Sequence, residues 1–123
     1  MSVGTGDFKQ LLYASRDGDF EMVRYYVKRN ADLNFLHAEF FYTPLHESIR
    51  YQHYEIAEYL LQNGADPHLA EGYTDITPLK IAQTAGDTRA IALLEKYGVE
   101  VNRSLWHRLW RPVQQKIVDL YRI

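Results

Sequence analysis

The chain has 123 residues, enough for one domain with a modest core. Hydrophobic residues make up 46%, which excludes a disordered chain, and the absence of cysteine excludes a disulfide framework and thiolate chemistry. The net charge of −2 is unevenly placed: residues 101–123 carry five bases and one acid, 5 − 1 = +4, and the rest carries nine bases and fifteen acids, 9 − 15 = −6.

The first ten residues, MSVGTGDFKQ, hold no apolar stretch of the kind a signal peptide needs. Uninterrupted apolar runs elsewhere are far too short to span a bilayer. With no cysteine, the expectation is a cytoplasmic protein.

The dominant feature is a repeat with a period of 34 residues. Leu11, Leu45 and Leu79 share one column, and Ala14, Ser48 and Ala82 another. Gly18, Gln52 and Gly86 align, then Met22, Ile56 and Ala90, then Tyr26, Leu60 and Leu94. Asn30, Gly64 and Gly98 align, followed by Ala31, Ala65 and Val99 and by Asp32, Asp66 and Glu100. Thr43-Pro44-Leu45 recurs as Thr77-Pro78-Leu79. So many small, glycine and apolar columns in register point to stacked supersecondary units.

In chain order, the first unit spans about 8–42, the second 43–76 and the third 77–103, each expected to hold two short helices. The first unit ends its second helix at Asn30, which tolerates a left-handed backbone nearly as well as glycine does. In the second unit Thr43 stands where an N-cap belongs, and Pro44 fits the first helical position, whose N–H is unpaired in any case. Leu45, Ser48 and Ile49 share a helical face. The next helix, Tyr54 to Asn63, is expected to bury Ile56, Ala57, Leu60 and Leu61 and to stop at Gly64. Thr77 and Pro78 repeat the start signal in the third unit. Beyond it, residues 104–123 fall outside the repeat. Leu105 and Leu109, and Trp106 and Trp110, are spaced i, i+4. Pro112 separates a helix of about 104–110 from a second of about 112–121, with Val113, Ile117 and Leu120 as its apolar stripe.

The segments TPLHESIRYQHYEIAEYLLQNGADPH and TPLKIAQTAGDTRAIALLEKYGVEVN resemble the ankyrin repeat, and FKQLLYASRDGDFEMVRYYVKRNADLN resembles a degenerate first copy. The resemblance covers about residues 8–102. Four residues depart from the family pattern: Lys9-Gln10 stands for Thr-Pro, Lys80 for the histidine, and Glu95 for a leucine; each inter-repeat loop is also one residue longer than the family's usual unit allows. The resemblance implies an all-α solenoid of helix-turn-helix units with hairpin loops, closed by a C-terminal helical extension. It also implies a module that binds another protein, as an adaptor, inhibitor or immunity-type factor. By the same analogy, contacts would come from Arg16, Asp17, Arg50, Tyr51, Thr84 and Ala85 on the first helices. The hairpins would add Glu39, Phe40, Tyr42, Tyr73, Thr74 and Ile76. His46 would be the family's structural histidine, and His53 a structural hydrogen-bonder.

The stretch FLHAEFFYTPLH at 35–46 is unusually apolar for a loop. Two readings stand. Phe35, Leu36, Phe40 and Tyr42 form an exposed patch, continuous with Tyr51 and Tyr73, that docks a partner or a second copy of the chain. In the other reading the hairpin folds back and its rings cover a neighbouring repeat or the tail. The tail also has two readings. It is either a cap over the last repeat or a basic, Trp-bearing element for a membrane surface or a nucleic acid. Neither paired histidines at metal-ligand spacing nor a glycine-rich phosphate loop is present, so no enzyme, metal or cofactor is expected.

Overall fold

A computed structural model describes residues 5–102 of the chain; the expected cap at 104–123 lies outside the described residues. Among the described residues there are six helices and no strand: α1 (Thr5–Asp17), α2 (Phe20–Lys28), α3 (Pro44–Arg50), α4 (Tyr54–Gln62), α5 (Pro78–Ala85) and α6 (Thr88–Lys96). They pair as α1/α2, α3/α4 and α5/α6. The first helices stack as one layer, α1 on α3 on α5, and the second helices as another, α2 on α4 on α6. The core between the layers is built from the repeat columns, with Leu11, Val23, Leu45, Ala57, Leu60, Ala90 and Leu94 all buried. The 34-residue period is thus an all-α repeat stack in which each unit closes over its neighbour's apolar face.

Helix starts follow the sequence signals. The Thr43 hydroxyl accepts from the His46 N–H, Thr77 accepts from Lys80 N–H, and Pro44 and Pro78 open their helices. His46 returns the contact: the Thr43 N–H donates to its Nδ1 at 3.1 Å, and the ring is fully buried. Its Nε2 reaches no acceptor in hydrogen-bond geometry, although the backbone at Leu69 and Ile76 passes close to the ring. The first unit lacks Thr-Pro because α1 starts at Thr5, four residues ahead of Lys9, and runs for 13 residues. Lys9 and Gln10 therefore lie inside a helix and not at its start.

Two columns of left-handed backbone end the helices. Gly18, Gln52 and Gly86 have φ of 82°, 63° and 65°; Asn30, Gly64 and Gly98 have φ of 61°, 98° and 93°. Gln52 and Asn30 occupy a conformation that most residues avoid, and the recurrence across units shows that the turn geometry belongs to the repeat. α4 stops at Gln62 with Asn63 as its C-cap, one residue short of the expected end.

Polar side chains bind successive units together. Asn34 Nδ2 donates to the Gly64 carbonyl at 3.0 Å, and its Oδ1 accepts from Asp66 N–H at 2.7 Å. His53 Nε2 donates to the Arg16 carbonyl at 2.8 Å. Asp19 and Asp87, its column mates, instead cap α2 and α6, so His53 gives up capping α4 to join the first two units. Tyr54 Oη meets both carboxylate oxygens of Asp87, at 2.9 and 2.8 Å.

Candidate functional site

The predicted contact residues lie on the first helices and on the two hairpins before α3 and α5. The hairpin at 35–42 folds back along α1. Phe8, itself buried, meets Phe35 edge-on at 5.4 Å and stacks on His37 at 6.4 Å. Phe40 meets Tyr13 at 6.4 Å and Tyr42 at 6.2 Å, both near-perpendicular. Lys9 lies over the Phe40 ring at 5.4 Å and pairs with Glu39 at 3.8 Å. The loop rests on α1, on Phe8 in its added first turn and on Tyr13 farther along the helix. Leu36, Phe40 and Tyr42 are half-buried, while Phe35 and Glu39 stay exposed. Part of the loop's apolar content is therefore internal packing.

The hairpin at 71–76 is held differently. Glu71 N–H donates to the Ile76 carbonyl at 2.8 Å, and Asp75 N–H donates to the Glu71 carbonyl at 3.1 Å. Gly72 N–H donates to the Phe41 carbonyl at 2.9 Å, joining the two hairpins. Tyr73 and Asp75 both sit at positive φ, 68° and 55°. Non-glycine residues hold such angles only where the surroundings over-determine them. Tyr73 is 89% exposed, yet its ring edge meets Phe41 at 4.5 Å. The contact between the hairpins thus runs through Phe41, not through Phe40 or Tyr42.

A charged cluster lies beneath. Arg50 donates to both Glu47 and Glu71, whose carboxylates come from α3 and from the second hairpin. Glu47 is 5% and Glu71 7% exposed. Burial pushes the Glu47 carboxyl above its ordinary value, and Arg50 pulls the other way. Arg50 also lies 6.0 Å from the Tyr42 ring centre. Thr74 Oγ1 donates to Glu71 Oε2 at 3.3 Å. Arg50, expected as a contact residue, is thereby engaged in fixing the second hairpin to α3.

Of the other predicted residues, Arg16 pairs with Asp17 at 2.8 Å and lies over Tyr13 at 5.0 Å. Its guanidinium holds the Asp17 carboxyl below the usual range. Tyr51 caps α3 and is 51% exposed. Ile76, the last residue of the second hairpin, is half-buried, and Thr84 and Ala85 are exposed at the end of α5. Sequence reasoning missed Tyr13 and the Glu47–Arg50–Glu71 cluster, and it counted Phe41 in the apolar loop without its contact to Tyr73. The i, i+3 spacing of Glu47 and Arg50 was a readable signal; the link to Glu71, across 21 residues, was not. Among the described residues no group of three or more His, Cys, Asp or Glu could hold a metal ion, and no helix is long and apolar enough to cross a membrane.

Comparison with known proteins agrees with this architecture. A profile of ankyrin repeats matches residues 11–105 as three copies. The palmitoyltransferase AKR1 of Lachancea kluyveri is 39% identical over 61 residues, covering 50% of this chain and 8% of that protein. The human 2-5A-dependent ribonuclease is 33% identical over 79 residues, covering 64% of this chain and 10% of the ribonuclease. The mouse palmitoyltransferase ZDHHC13 is 37% identical over 62 residues, covering 50% of this chain and 10% of that protein. The chain therefore spans about a tenth of the length of these relatives. Ankyrin repeats are protein–protein interaction modules, and the likeness to parts of larger enzymes carries no catalytic group to this chain. With three matched copies, six helices in two layers and the Thr-Pro caps in place, the chain belongs to the ankyrin-repeat family.

Proposed function

We propose that this chain is a non-catalytic module that binds another folded protein. It would do so through the face made by the first helices and hairpins of its first two units. The observation that carries the reading is Tyr73: a large aromatic side chain, 89% exposed, on a backbone locked at φ 68°. An outward tyrosine whose ring packs against Phe41 offers a large aromatic surface with partial support, which suits an interface anchor. Tyr51 and Phe35, also exposed, extend the same face, and Phe40, Tyr42 and Arg50 support it from below.

Affinity selection from extracts of the source cells, with mass spectrometry and retesting of purified candidates, tests this reading. A true partner is retained by the wild-type chain and by Lys28→Ala on α2, and is lost with the Tyr51→Ala/Tyr73→Ala double variant. Retention by the double variant contradicts the proposal.

A further inference from the structure

The repeat columns show where the stack is left open. At the first unit Met22 and Tyr25 are exposed, while Ile56 and Ala90, the column mates of Met22, are buried. At the other end different columns lose their cover. Leu11 and Leu45 are fully buried and Leu79 only half. Ser15 and Ile49 are buried, but Gln83 is half-exposed; in the column of Leu33, Pro67 and Val101 the first is buried and the other two are half-exposed. Leu12 and His46 are buried, but Lys80 is exposed. Leu79 and Gln83 are i, i+4 on α5, so they share one side of that helix. Together with Val101 they mark the surface that a fourth unit would cover in a longer stack.

We propose that this surface is covered by residues 104–123 of the same chain. Three observations select that occupant. Val101 belongs to the uncovered surface, and the 123 − 102 = 21 residues after Asn102 are tethered at its edge. Tethering makes the contact intramolecular and raises its effective concentration above that of any free partner. The segment carries the apolar side chains such a surface needs: Leu105, Trp106, Leu109, Trp110 and Ile117. Its charge is opposite in sign to that of the rest of the chain: residues 104–123 sum to 4 − 1 = +3 and residues 1–103 to 10 − 15 = −5. Glu100 stands beside Val101 to meet the basic side chains, while Lys80 faces the same region with like charge. Apolar cover therefore leads this contact and charge assists it.

Trp106 and Trp110 are the chain's two tryptophans, and the chain has no cysteine. A bimane label on Gln83→Cys in the full chain is quenched by an indole only on contact. The expected result is several-fold weaker emission from bimane at Gln83→Cys than at Lys28→Cys in the first unit. The difference disappears when Trp106 and Trp110 are replaced by phenylalanine, and is unaffected by dilution. Circular dichroism confirms that each labelled chain is folded, and Lys80→Cys serves as a second position if the Gln83 label disturbs α5. Equal emission at both ends of a folded chain overturns the proposal. Quenching that grows with protein concentration also overturns it, because the cover then comes from another copy.

Discussion

Gly18→Ala is the substitution whose cost follows most directly from the geometry between the first two units. Gly18 has φ 82°, a left-handed conformation that costs a residue with a Cβ about 1–2 kcal/mol. A Cβ there would also stand 2.7 Å from His53 Cε1 and 3.0 Å from its Nδ1, closer than side-chain atoms pack. The ring cannot move aside freely, because its Nε2 donates to the Arg16 carbonyl at 2.8 Å. Displacing it forfeits a hydrogen bond with a net worth of about 0.5–1.5 kcal/mol. Strain and lost bond together come to about 1.5–3.5 kcal/mol. Gly64→Ala provides the internal reference: φ is 98°, but an added Cβ meets nothing within 4 Å, so only the strain remains, about 1–2 kcal/mol. Urea unfolding followed by circular dichroism measures both. In a His53→Ala background the excess cost of Gly18→Ala over Gly64→Ala should vanish. Equal costs in the wild-type background, or an excess that survives removal of His53, would refute the account of how the first two units join.

Four further outcomes follow from named contacts. Phe40→Ala should destabilise by about 1–2 kcal/mol, short of the 3–5 kcal/mol of a fully buried ring, because Phe40 is half-buried against Tyr13 and Tyr42. A larger loss by urea unfolding would mean that the loop is core and not surface. Arg50→Ala should cost about 2–3 kcal/mol, below the range of a fully buried pair since a third of Arg50 is exposed; it leaves two buried carboxylates without their cation. Hydrogen exchange should then show faster exchange at the second hairpin's Glu71 and Gly72 amides, and unchanged exchange there would contradict the clamp. Burial holds His46 below the ordinary imidazole value, so its contribution to stability is present above about pH 6.5 and lost as the pH falls through the folded value. His46→Leu, which copies Leu12 of the first unit, should remove that acid-sensitive component of the unfolding midpoint, at the expense of the Thr43 bond. Glu47 has the opposite sign: its raised value gives stability that is present at low pH and lost as the pH rises through the folded value, and Glu47→Gln should flatten that slope.

The architecture was legible because each unit repeats the same physical solutions. Thr43 and Thr77 cap, Pro44 and Pro78 open, and Asn30 and Gly64 turn, as their chemistry requires. Gln52 was less legible, since glutamine gives no hint of the left-handed backbone that its glycine column mates signal. The candidate site was legible as residue types and not as contacts. Phe40 meets Tyr13, 27 positions earlier, and Phe35 meets Phe8, which the added turn of α1 supplies; neither pairing is visible in local spacing. Arg50 looked like a free cation because the burial of Glu71 depends on a hairpin that closes only in three dimensions. The apolar run at 35–42 accordingly divides: Phe40 and Tyr42 brace α1 and the arginine, Phe41 backs Tyr73, and Phe35 is left largely outward.

The central claim is that the exposed tyrosine on the second hairpin anchors a protein partner. Calorimetric titration of the purified partner against wild type and Tyr73→Ala tests it most directly. The account predicts that Tyr73→Ala weakens binding about 30-fold, equivalent to about 2 kcal/mol, with the unfolding midpoint unchanged, because the side chain is almost wholly exposed. Unchanged affinity in a chain of unchanged stability would contradict it.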